Sequence, residues 1–213
     1  MLKKQAVFII LIEYFETILT EGALIMEIPY TGQKYYDIDL AGRIERLPVT
    51  PVSPTFHIAG FVLMGNTELT NYCARILADK IKDVDFDYIV VPEAKVLPLT
   101  QAICTLLGDR DFVVFRKGAK AYMVDPIETE VKSITTQAVQ KMVVDGVDAD
   151  KIRGKKVLVL DDVVSTGGTF HAMKTLLDML DCKIVAYAAA LKEGTDFKEE
   201  PLYYISDLPV FPG

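Results

Sequence analysis

Thirteen consecutive residues in this sequence have the types and spacing to do chemistry together: Val157-Leu-Val-Leu-Asp161-Asp162-Val-Val-Ser165-Thr166-Gly167-Gly168-Thr169. The apolar run reads as a buried strand that delivers two adjacent carboxylates to its end. A turn of small and hydroxylated residues follows and opens directly into a helix. Such a turn is an anion cradle. Gly167 and Gly168 let backbone amides approach a phosphate closely, Ser165, Thr166 and Thr169 add hydroxyl donors, and the helix start adds unpaired amides and a favourable dipole. The two acids cannot serve the phosphate. They suit the hydroxyls of a neighbouring polyol, or a Mg²⁺ held through water. No Lys-Ser/Thr pair follows the glycines, which argues against a Walker-type nucleotide loop. A phosphate on one side and a diol on the other together describe a ribose 5-phosphate.

Two more segments place charge at strand ends. Val90-Val91-Pro92-Glu93-Ala94-Lys95 lies between an apolar strand and a helix, where backbone amides and one lysine can hold a second anion. Phe115-Arg116-Lys117-Gly118-Ala119-Lys120 ends another apolar strand and opens a long insertion. Lys95, Arg116, Lys117 and Lys120 thus concentrate positive charge in a chain whose net charge is −7. That acidic balance, with no compact basic patch, argues against a nucleic-acid partner. Cys73, Cys104 and Cys182 form no CxxC pair, so neither a zinc knuckle nor a disulfide framework is expected, and a reducing, cytoplasmic setting fits. His57 and His171 stand apart from any metal-ligand spacing and read as structural.

The elements that must position these residues follow from periodicity. Ala6 to Ile12 is an apolar run of seven residues after a charged start. It is too short for a secretory signal; Phe8, Ile12, Phe15 and Leu19 instead share one face of an amphipathic helix ending near Gly22. No stretch reaches the roughly 18–20 apolar residues of a membrane span. From residue 23 to 54 short strands and turns alternate, including 24–28, 35–40 and 44–49, as a small subdomain. Beyond it, strands at 56–64, 88–91, 112–115, 157–160 and 183–191 alternate with helices at 68–82, 96–107 and 168–180. This pattern predicts an α/β fold: a doubly wound, mainly parallel sheet whose ligands sit at the strands' carboxyl ends. The insertion 117–150 breaks the alternation, carries a candidate hairpin over 130–135 and 140–144, and has the length of a mobile binding loop.

The Asp161-Asp162…Thr166-Gly167-Gly168-Thr169 segment resembles the phosphoribosyl-pyrophosphate (PRPP) signature of the type I phosphoribosyltransferases. Glu93-Ala94-Lys95 is similar to the pyrophosphate loop of the adenine phosphoribosyltransferase-like branch, with Lys95 where that branch carries Arg and Val96 where it carries Gly. Arg116-Lys117 resembles the start of the same branch's flexible catalytic loop. The resemblance implies a division into an N-terminal helix and hood-like β subdomain (1–53), a core (54–193) with a flexible loop (117–140), and a tail (194–213) that contributes to the hood. It implies transfer of 5-phosphoribose from PRPP to a purine base, adenine favoured, with release of pyrophosphate, in salvage. The implied catalytic residues are Asp161, Asp162, Arg116 and Lys117. Ser165, Thr166, Gly167, Gly168 and Thr169 take the 5′-phosphate, while Glu93, Ala94, Lys95 and Lys120 take pyrophosphate. Mg²⁺ is the implied cofactor, at Asp161 and Asp162, and a homodimer the implied assembly, with the first helix as a candidate surface. Tyr30, Tyr35, Tyr36, Tyr203 and Tyr204 are available to stack on the base, and Glu128 and Glu130 to move its proton. The alternative is a regulator of this fold that binds PRPP without turnover, which the altered Lys95-Val96 loop also accommodates.

Overall fold

The computed structural model of this chain describes residues 27–132 and 139–213. The helix expected over 6–22 and the start of the strand expected over 24–28 lie outside the described residues.

The sheet that carries the chemistry is parallel and is ordered β10-β9-β8-β4-β5, with β11 also on β9. Its strands are β4 (Tyr88–Pro92), β5 (Phe112–Phe115), β8 (Lys156–Val164), β9 (Lys183–Glu193), β10 (Leu202–Tyr203) and β11 (Ser206–Leu208). The Ile89-Val90-Val91 run of β4 is buried throughout, as a strand covered on both faces must be. Side-chain alternation divides the core in two. Leu158 and Leu160 join Ile89, Val91, Ala186 and Ala188 on one face. Val157 and Val159 join Val90, Val113, Tyr187 and Ala189 on the other.

The first face packs α1 (Thr67–Ile81) and α2 (Leu97–Leu106), through Leu69, Cys73, Leu77, Leu99 and Ile103. The second packs α3 (Gly146–Ile152) and α4 (Gly168–Met179), through Ala149, Ile152, Phe170, Met173 and Leu177. Asn66 caps α1 through its side chain, accepting from Leu69 N–H at 3.1 Å, and Asp145 caps α3 at Val147 N–H, 3.2 Å. In contrast, α4 begins at Gly167 with no side-chain cap.

A second, antiparallel sheet forms the hood: β1 (Tyr35–Asp39), β2 (Ile44–Ser53), β3 (Phe56–Ala59) and β12 (Val210–Pro212), in the order β1-β2-β3-β12. The strand expected over 56–64 ends at Ala59, where Gly60 begins a loop to Asn66 that still alternates buried Phe61 and Leu63 with exposed Val62. Conversely, β8 continues past Leu160 to Val164, because Asp161, Val163 and Val164 pair with Ala189, Leu191 and Lys192 of β9.

The tail expected in the hood is shared. Its β10 and β11 extend the core sheet along β9, and only β12 joins the hood. The insertion forms a hairpin of β6 (Ile127–Lys132) and β7 (Val139–Val144). Its base is tied to β5 by reciprocal 2.7 Å bonds between the Arg116 and Val143 backbones, and Met142, Val143 and Val144 are buried.

Candidate active site

One cleft of about 660 Å³ opens where the carboxyl ends of β4, β8 and β9 face the hood. Glu93, Ala94, Lys95, Lys117, Asp161, Asp162, Ser165 and Thr169 line it, so eight of the residues singled out in the sequence converge there.

The acid pair sits at the centre. Asp162 is buried, and its amide donates to Asp161 Oδ1 at 2.8 Å. Burial, and then the Asp162 carboxylate beside it, push the Asp161 carboxyl up to about 8. Lys95 opposes that shift from across the cleft. The pair therefore has a high affinity for whatever neutralises it, whether a proton, a cation or a polyol's hydroxyl groups.

The loop after β8 is shaped by one glycine. Gly167 adopts φ +75°, and an added Cβ would collide with the Phe197 ring. An L side chain is therefore refused twice, by conformation and by space. Gly167 at the cap leaves the first amides of α4 without a side-chain acceptor, so they remain available to an anion. Ser165 and Thr169 face the cleft, whereas Thr166 is exposed beside it.

Glu93 serves other groups than an anion. Its Oε1 accepts from Lys117 N–H at 2.9 Å and lies 3.6 Å from Lys120 Nζ, and its Oε2 accepts from Arg116 at 3.1 Å. Burial alone would raise its pKa, but the Lys117 amide and the two cations outweigh burial and hold the carboxylate below its usual range. Arg116 is thus spent on Glu93 and on the Tyr122 ring, 5.8 Å from its guanidinium carbon, and does not line the cleft. The Glu93–Ala94 peptide is cis. Val96, where the similar branch carries Gly, has φ −77° and is fully buried, so this position does not require glycine.

The expected aromatic contacts are elsewhere. Tyr30 stacks on His57 at 3.6 Å, Tyr36 meets Phe211 edge-on at 5.5 Å, and Lys192 lies 5.7 Å over Tyr204. None of the five tyrosines lines the cleft; its hood side is formed by Ile58, Ala59, Gly60, Phe61 and Val62. Glu128 is paired with Lys141 at 2.8 Å. Sequence reasoning missed Phe61, Lys141, Met142 and Glu193 as lining residues. Glu193 was within reach of the strand-end rule, because it closes β9 two residues beyond the expected end of that strand.

Residues 65–209 match the model of the phosphoribosyl transferase domain family. The chain belongs to the phosphoribosyltransferase family. It is 34% identical over 149 residues to an adenine phosphoribosyltransferase of Petrotoga mobilis, covering 70% of this chain and 82% of the relative. A hypoxanthine/guanine phosphoribosyltransferase of Methanothermococcus okinawensis is 31% identical over 152 residues, 70% of this chain and 78% of the relative. The solved adenine phosphoribosyltransferase of Thermoanaerobacter pseudethanolicus superposes with a TM-score of 0.61 at 19% identity, covering 76% of this chain and 95% of that one. In this phosphoribosyltransferase the match runs from Gly65 to Pro209, so all four strands of the hood lie outside it.

Proposed function

We propose that this phosphoribosyltransferase moves the 5-phosphoribosyl group of PRPP to a ring nitrogen of a purine, adenine favoured, releasing pyrophosphate in purine salvage. The observation that carries this reading is the meeting, in one cleft, of the Asp161–Asp162 pair, the uncapped start of α4 and the strand-end lysines 95 and 117. The uncapped amides with Ser165 and Thr169 suit the 5′-phosphate, and Asp161 and Asp162 suit the ribose hydroxyls.

As the bond from C1 to pyrophosphate breaks and the C1–N bond forms, positive charge builds on the ribose. Fixed carboxylates beneath the hydroxyls stabilise that charge more than the ground state. Lys95 and Lys117 offset the charge growing on the departing oxygen, and the base gives up its ring proton to solvent.

A Mg²⁺ fits the donor set. The two adjacent carboxylates are hard oxygen donors, and the described residues contain no group of three acidic, His or Cys side chains that would cage the ion, so substrate oxygens and water must complete its shell. Asp161 and Asp162 would hold it, and it would neutralise charge on the pyrophosphate. The free thiols of Cys73, Cys104 and Cys182 support a cytoplasmic setting.

The double variant Asp161→Asn, Asp162→Asn tests the assignment. It should retain its circular dichroism and lose at least about a thousandfold in turnover with PRPP, Mg²⁺ and adenine; a wild-type rate would defeat the assignment. Assaying adenine, guanine, hypoxanthine and xanthine with the wild-type protein identifies the base. PRPP-induced thermal stabilisation with no turnover on any of them would instead identify a sensor.

A further inference from the structure

Four carboxylates line the cleft, and three of them have tasks. Glu93 is held by Arg116, Lys117 and Lys120, while Asp161 and Asp162 form the adjacent acid pair. The fourth is Glu193, the last residue of β9. Its side chain is half-buried, and Ser165, on the same cleft, favours its charged form. Its Cα partner on β11 is Leu208, which also lines the cleft. Two residues later the chain enters β12, and Val210 pairs with Ile58 of the hood. Glu193 therefore stands at the seam between phosphate loop and hood, with Ile58, Phe61, Val62 and Leu208 as the apolar walls of the same cleft.

A carboxylate is out of place there unless the substrate brings it a donor. Burial disfavours its charge and is only partly offset by Ser165. A phosphate would repel it, and the ribose hydroxyls have their acceptors in Asp161 and Asp162. The remaining donors in the reaction are the N–H groups of the base. Resting on the transferase reading above, we propose that Glu193 determines base specificity by accepting a hydrogen bond from the amino group at C6 of the purine, so that the site prefers adenine over the 6-oxopurines guanine, hypoxanthine and xanthine. An oxo group in the same place points a lone pair at the carboxylate and leaves both acceptors unpaired, which costs more than a lost contact.

Glu193→Gln keeps shape and the contact to Ser165 but presents an amide that can donate to a carbonyl. The ratio of kcat/KM for adenine to kcat/KM for the 6-oxopurines guanine, hypoxanthine and xanthine should fall at least about tenfold in this variant. The KM for PRPP should stay within about twofold, because a purely structural role through Ser165 would move PRPP binding and leave base preference alone. An unchanged ratio overturns the proposal, and so does a rise in the PRPP KM as the sole effect. A wild-type protein that turns over none of the four bases defeats the transferase reading itself, and this inference with it.

Discussion

At the scale of single residues, the site concentrates negative charge where the substrate will need it, and the empty protein bears the cost. The Asp161 carboxyl, with an ordinary value of about 4, is pushed up to about 8 in the folded chain. Between those values the folded state keeps a proton that the unfolded chain has released. The stability associated with that proton is fully present below about pH 4 and is lost as pH rises through about 8. Without ligands, the melting temperature should therefore fall from pH 5 to pH 8.5, beyond what the remaining groups produce. Asp161→Asn keeps the position neutral throughout, so its profile should be flatter and, at pH 8, the variant should be more stable than wild type by on the order of 2 kcal/mol. Calorimetric melts of both proteins across this range decide the matter, and parallel profiles would refute the coupling. Mg²⁺ with PRPP should erase the difference, by giving the pair the countercharge it lacks.

At the scale of elements, what the site needs is a fixed relation between the ends of β4 and β5. Glu93 supplies it: its carboxylate spans from β4 to the first residues of the insertion, and its own amide donates to Phe115 O at 2.8 Å. The insertion is pinned again further on, where Val124 N–H donates to Asp145 Oδ1 at 3.1 Å and Gly146 N–H to Val124 O at 3.0 Å. An added Cβ on Gly146 would come within 2.5 Å of that same carbonyl. Glu93→Ala should free Lys117, so amide exchange at 117–120 should accelerate at least about tenfold while β4 and β5 stay protected. The loss in global stability should be modest, about 1–2 kcal/mol, because the ion pairs are partly exposed, while kcat falls with the misplaced Lys117. Unchanged exchange at Lys117 would show that the loop is held by something else. The ends of β4 and β5 were legible in the sequence because both are short apolar runs that stop at charge, whereas β8 runs on through its two acids to Val164. Glu93's task was not, since one Glu at a strand end reads equally well as an anion-loop residue or an anchor, and only the reach of Arg116 and Lys117 back to it distinguishes the two.

At the scale of the whole molecule, hood and core are joined by the tail. The chain leaves β11 on the core sheet at Leu208, crosses Pro209, and pairs Val210–Pro212 with β3, while Ile28 and Tyr30 bond back to Val210 and Pro212 at 2.9 and 2.7 Å. This arrangement was illegible in the sequence. Three-residue strands carry almost no periodic signal, and the hood tyrosines that read as base-stacking groups are used to hold this joint, with Tyr36 on Phe211 and Tyr30 on His57. Phe211 is wholly buried there. Cutting it back to Ala removes the packing that fixes the hood against the core while leaving β8, α4 and the acid pair untouched. Phe211→Ala should cost about 3–4 kcal/mol of stability. If the hood forms the base side of the cleft, the effect on function should also be one-sided: the KM for the purine should rise about tenfold or more, and the KM for PRPP should move little. Steady-state kinetics with each substrate varied in turn separates the outcomes. An equal rise in both KM values would mean that hood and core respond as one body, and that the tail serves the phosphate site as much as the base.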